Sequence, residues 1–109
     1  MKEAFLWSPR DEKAVECHLC HHRCLIKPGK RGFCQVRENR DGTLFSLVYR
    51  QMIARHVDPI EKKPLFHFHP ATLSYSVATV GCNFRCTFCQ NCTISQMPRE
   101  EGRIAGTDI

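Results

Sequence analysis

Nowhere in the chain does an uncharged apolar run approach the roughly 18 residues that a spanning helix requires. The opening stretch MKEAFLWSPRDEK holds only a short apolar run, residues 4–7, before charge resumes, too brief for the apolar core of an export signal. The sequence has no internal repeat and no low-complexity tract, and it offers no phosphate loop, no Ser/His/Asp arrangement and no glycosidase-like carboxylate pair. Lysine and arginine are scattered, without a block of like charge or interleaved aromatics, so the formal net charge of +5 does not point to nucleic acid. A soluble, cytoplasmic protein without membrane contact is the expectation.

What the chain has in excess is cysteine: eight in 109 residues. A chain of this length is one small domain with a modest core, and thiols are the obvious supplement, as disulfides or as metal ligands. In a reducing cytosol, cysteines clustered at short spacing read as metal ligands first. The basic excess then shrinks, because seven thiolates would offset it and the bound metal would restore only about +2.

Three regions separate by their punctuation. The first ends in the cysteine group CHLCHHRCLIKPGKRGFC, residues 17–34. The second, VRENRDGTLFSLVYRQMIARHVDP, carries a hairpin signal at Asn39, Asp41 and Gly42, with residues 43–49 as its second strand and residues 52–57 as a third. The proline-rich connector DPIEKKPLFHFHP follows, in which neither helix nor sheet should run far. His67 and His69 read as polar positions of that connector, with a substrate-contact role as the alternative. The third region opens on TLSYSVATVG, whose β-branched residues and Tyr75 predict a short strand ending at Gly81, where a second cysteine loop begins. Reactive groups of parallel α/β proteins collect at such strand ends. In the last stretch, Thr107 or Asp108 would suit a helix N-cap with no helix behind it, so a longer parent protein is expected. The organisation expected is therefore a Cys-rich module over residues 1–71 and the start of a second unit over residues 72–109.

The loop GCNFRCTFCQNC places Cys82, Cys86, Cys89 and Cys92 at gaps of four, three and three. Each iron of a [4Fe–4S] cube wants one outside ligand, usually a thiolate. A CxxxCxxC loop satisfies three corners and leaves the fourth iron open to a small molecule carrying an amino group and a carboxylate. Ferredoxin and paired-CxxC zinc spacings differ from this one.

The string GCNFRCTFCQN resembles the radical SAM signature, CxxxCxΦC with Φ aromatic, through Cys82, Cys86, Phe88 and Cys89. More narrowly, DPIEKKPLFHF, GCNFRCTFCQNCTISQ, CHLCHHRC and GFCQVRENRDGTLFSLVY are similar to the radical SAM proteins of the AmmeMemoRadiSam group, relatives of pyruvate formate-lyase activating enzymes. The likeness runs over most of residues 17–97.

The resemblance implies that Cys82, Cys86 and Cys89 bind a [4Fe–4S] cluster and that Phe88 lies near the adenine of S-adenosylmethionine. It implies an α/β fold, the start of a partial (β/α)6 barrel with residues 72–80 as about its first strand, truncated here because such a barrel needs roughly 200 residues. It implies reductive cleavage of S-adenosylmethionine to methionine and a 5′-deoxyadenosyl radical, at a potential near the low end of the roughly −700 to +450 mV range of protein clusters. The implied partners are a low-potential electron donor, such as a flavodoxin or ferredoxin, and a protein substrate of the glycyl-radical kind. Two positions depart from the pattern. Cys92 stands where a large aromatic is more common, and is open to reading as a fourth thiolate, a spare thiol or a packing residue; His21 stands where proline is usual.

Cys17, Cys20, Cys24 and Cys34 form Cx2Cx3Cx9C, with Gly29 and Gly32 allowing the chain to turn before the last of them. Four soft ligands suit a closed tetrahedral zinc site that would brace a region poor in apolar residues. A second iron–sulfur cluster uses the same four residues, and spacing does not separate the two. His18, His21 and His22 read as surface residues flanking this knuckle. Against the enzyme reading stand a two-site zinc module and a simple electron-transfer protein in which Cys92 closes the second site.

Overall fold

The structure, a computed structural model, describes residues 1–100, 102 and 104–108, the side chains of residues 99 and 100 excepted. Its strands are β1 (Lys2–Glu3), β2 (Trp7–Pro9), β3 (Val15–Cys17), β4 (Leu25–Ile26), β5 (Arg37–Arg40), β6 (Thr43–Ser46), β7 (Gln51–Met52), β8 (Ala54–Pro59), β9 (Leu73–Ala78) and β10 (Thr107–Asp108). Two single-turn helices, α1 (Cys92–Ser95) and α2 (Met97–Glu100), follow the second cysteine loop.

The strands form four small sheets, in the orders β1-β6-β5, β2-β3-β4, β8-β9 and β10-β7, and every pairing is antiparallel. The expected hairpin is present: β5 and β6 pair from Arg37↔Ser46 to Arg40↔Thr43. Its two-residue turn, Asp41-Gly42, has positive φ at both positions (54° and 91°), the geometry that aspartate and glycine tolerate best. The Asn39 side chain secures the turn from below. Fully buried, it accepts from the Gly42 N–H at 2.9 Å and donates to the carbonyls of Lys13 and Ile26, each at 2.8 Å.

The core lies between the two three-stranded sheets. Along β3 the buried Val15 and Cys17 flank the half-buried Glu16, so Val15 and Cys17 face inward to meet Ile26, Leu44 and Ala4, with Trp7 and Cys24 packed at the margin. Five small residues make a thin core, and burying an aliphatic side chain contributes only about 1.5–3 kcal/mol.

The expected (β/α)6 barrel is not what this chain builds. Its intended first strand, β9, pairs antiparallel with β8 from Ala54↔Ala78 to Pro59↔Leu73, and no strand among the described residues runs parallel to it. A parallel neighbour needs a crossover of a dozen or more residues, usually a helix, whereas the helices after β9 have four residues each. The local alternative wins because the proline-rich connector closes a long hairpin. Ile60 donates its N–H to Thr72 O at 2.9 Å, beyond the last paired residues, and the chain turns back through a short 3-10 segment, Ile60–Lys62. Residues 52–57, read as a third strand of the first hairpin, are thus divided between β7 and β8 and serve other sheets. Thr107 and Asp108, read as helix caps, form β10 against β7.

The β8–β9 hairpin presents an inverted surface. Val57, Leu73, Tyr75 and Val77 share one face, and all are exposed; the opposite face carries Ser74, Ser76 and Ala78. The molecule is elongated, with a radius of gyration of 16.2 Å against about 13 Å for a compact chain of this length.

Candidate metal centre

The first cysteine group is assembled by the core. Cys17 ends β3 and is buried; its N–H donates to Cys24 O at 2.9 Å, which closes residues 17–24 into a knuckle. Cys34 joins from the far side of the turn that carries Gly32. An added Cβ at Gly32 would stand 3.2 Å from Ile26 Cδ1 and 3.8 Å from Cys24 Cβ, so the chain passes close to the knuckle here. Burial pushes the Cys34 thiol up, and the neighbouring Cys17, Cys24 and Cys20 add to the rise, against a hydrogen bond from the Val36 backbone. The Cys34 sulfur is thus poorly disposed to hold negative charge by itself, and a bound cation would reverse that preference.

Donors are aimed at these sulfurs. The Phe33 N–H points to Cys24 Sγ at 3.4 Å, and Arg37 Nη1 donates to Cys17 Sγ at 2.9 Å. Arg37 is itself buried, its other contact being the Phe5 carbonyl, and it has no carboxylate partner among the described residues. Inside the core the guanidinium is therefore satisfied by one sulfur and one backbone carbonyl.

The second loop is more open. Cys82 is half-buried and receives the Phe84 N–H at 3.3 Å; Cys89 is half-buried beside Ser95 Oγ at 3.4 Å; Cys86 and Cys92 are exposed. Phe88 projects outward, 84% exposed. The loop is anchored at its base by Gly81, whose N–H donates to Ile94 O at 3.1 Å, and by buried Gln96, whose Nε2 donates to Phe84 O at 3.0 Å.

The two groups, separate in sequence, meet in space. One cavity of about 350 Å³ is lined by Cys17, Cys20, Cys24, Cys34 and Cys82, with Val36 and Val80 among its apolar walls. Around it, His22 Nε2 donates to Asn83 O at 2.8 Å, His22 stacks on Phe33 with ring centroids 4.2 Å apart, and the Arg85 guanidinium covers Phe33, its Cζ 3.7 Å from the ring centroid. His22 is exposed beside the knuckle, as its sequence position suggests, and it also bridges the two groups. His18 is engaged at both ring nitrogens, by Ser8 Oγ at 2.8 Å and by Arg23 at 2.6 Å, while His67 and His69 are exposed on the connector. Arg37, Phe33 and Arg85 were not legible as site residues, because nothing in their spacing marks them.

All eight cysteines are free thiols, and among the described residues no three or more His, Cys, Asp or Glu side chains are arranged as a formed metal shell. The donor set is of a kind that suits a thiophilic metal: five cysteines line one cavity, with N–H groups directed at the sulfurs of two of them. Among the described residues no helix is long and apolar enough to cross a membrane.

The chain is similar to two proteins of Methanocaldococcus jannaschii. It is 52% identical to the uncharacterized protein MJ0808 over 101 residues, which is 93% of this chain and 30% of that protein. It is 32% identical to the uncharacterized protein MJ0674 over 82 residues, 74% of this chain and 19% of that protein. The chain thus spans less than a third of the length of these curated relatives. No family model and no solved structure matches it.

Proposed function

We propose that this chain is the cysteine-bearing part of a radical SAM enzyme, related to the pyruvate formate-lyase activating enzymes, working in the cytoplasm. Cys82, Cys86 and Cys89 would hold a [4Fe–4S] cluster through three corners, and Cys17, Cys20, Cys24 and Cys34 would hold a structural zinc ion or a second cluster. When bound, the cluster and S-adenosylmethionine would supply a one-electron reductive cleavage to methionine and a 5′-deoxyadenosyl radical, fed by a donor such as a flavodoxin or ferredoxin and spent on hydrogen abstraction from a substrate, of which a protein is one class.

The observation that carries this reading is the loop itself: three cysteines at CxxxCxxC spacing, with Phe88 between the last two, on a segment where Cys86 is exposed and Cys82 and Cys89 are half-buried. A loop built that way can grip one side of a cube and leave the other side accessible. Its own residues do three things. The Phe84 N–H steadies the Cys82 sulfur, the Ser95 hydroxyl does the same for Cys89, and Phe88 offers an unencumbered ring on which a flat heterocycle could stack.

The test uses the whole protein, reconstituted anaerobically with iron and sulfide. A brown protein whose reduced EPR spectrum changes on adding S-adenosylmethionine supports the proposal. Colourless protein carrying about two zinc ions per chain would establish a zinc module instead, and a brown protein whose spectrum ignores S-adenosylmethionine would leave simple electron transfer.

A further inference from the structure

The junction between the two cysteine groups is more specific than ordinary packing. On one side its contacts come from His22, two residues from both Cys20 and Cys24, from Phe33, adjacent to Cys34, and from Val36, two residues beyond Cys34. On the other side they come from residues 81–85, the segment that carries Cys82 and runs into Cys86. Gly81 approaches so closely that an added Cβ would lie 2.5 Å from Val36 Cγ1 and 3.2 Å from Cys34 O, and its φ of +97° suits glycine alone. Arg85 both covers the Phe33 ring and donates to the Phe33 carbonyl at 3.3 Å. These contacts join residues in or beside one ligand set to residues beside the other.

From this arrangement we infer that the first cysteine group is the fixture that positions the second: filling it sets the path of residues 22–36, and the His22–Phe33–Arg85 stack transmits that path to the loop bearing Cys82, Cys86 and Cys89. The inference rests on the reading that both groups bind metal. Physically, a loop with two exposed cysteines and one-turn helices behind it has little rigidity of its own, while the knuckle beside it is tied to the core through Cys17. Ligand loops are held in register by partners outside the ligand set, and losing such a partner weakens metal retention by about 10-fold or more. His22, Phe33 and Arg85 are positioning residues in this scheme, since they act on the loop's backbone and aromatic contacts and not on the metal.

The experiment compares Phe33→Leu, Phe33→Tyr and Arg85→Ala in the anaerobically loaded whole protein. It measures the metal held by the first group, the rate at which loop iron passes to an external chelator, and the EPR change on adding S-adenosylmethionine. Phe33→Leu and Arg85→Ala are expected to release loop iron about 10-fold faster and to blunt the EPR change, with first-group metal unaltered, while Phe33→Tyr, which keeps the ring, behaves as wild type. Wild-type release rates in both Phe33→Leu and Arg85→Ala would overturn the inference and leave the proposed function standing. Loss of first-group metal in Phe33→Leu shifts the decision to Arg85→Ala, whose side chain touches the first group through Phe33. A wild-type protein with no iron in the loop removes the proposed function itself, and this inference with it.

Discussion

The two cysteine groups use the same atom type in different settings. In the first, Cys17 is buried, Cys34 is pushed toward the neutral thiol by burial, and Arg37 is sealed against Cys17 by the core. In the second, Cys86 and Cys92 are exposed and Phe88 stands clear of the surface. A buried cysteine such as Cys17 ties its group to the core, and exposed ones such as Cys86 leave theirs reachable and dependent on neighbours for its shape. Under the proposed function, the first group would brace the fold and the second would carry the chemistry.

That contrast is sharpest when one ligand is removed from each. Structural metal sites contribute on the order of 10 kcal/mol to folding, more than the net stability of about 5 kcal/mol expected of a small domain. Cys17→Ser should therefore abolish the cooperative thermal transition, whereas Cys86→Ser should keep it while losing the loop iron. Equal unfolding of both variants in a melt followed by circular dichroism would erase the distinction.

Next in size is Arg37→Met, which preserves bulk and deletes the charge facing Cys17. Breaking a buried charged pair from one side costs about 3–5 kcal/mol, to be read by denaturant titration of metal-loaded protein. A loss no larger than that of a surface arginine such as Arg55 would show that the guanidinium does not compensate the thiolates.

Gly81→Ala probes the seam between the groups. A side chain in the left-handed region costs about 1–2 kcal/mol before the collision with Val36 is counted. The expected signature is lower loop iron with first-group metal retained, and unchanged metal at both groups would argue against a tight seam. The smallest effect belongs to Cys92→Ser. Exposed at the start of α1, Cys92 should be dispensable, with stability altered by no more than about 0.5 kcal/mol and iron content preserved. Iron loss equal to that of Cys82→Ser would make Cys92 a fourth ligand and close the site.

Local features were readable because their causes are local. Asp41-Gly42 turns the β5–β6 hairpin through the positive φ that those two residues tolerate, and residues 73–78 form a strand where β-branched and aromatic residues alternate with serine. The direction of β9 was not readable. A strand's composition reports that it extends but not which neighbour it takes, and here the connector brought it back antiparallel to β8. Asn39 shows the same limit: as a turn residue it was anticipated, but its service to Lys13 and Ile26 required both carbonyls to be brought to it.

Sequence alone determined the inventory of sulfur ligands and their spacing within each group, because ligand type and short-range reach are set by covalent connectivity. Only the tertiary structure brought Cys82 to the cavity of the first four cysteines and seated Arg37 at Cys17 and Arg85 on Phe33. Those meetings join residues 20 to 65 positions apart, and they depend on which sheets pack together, a choice made by the whole core and not by any one segment.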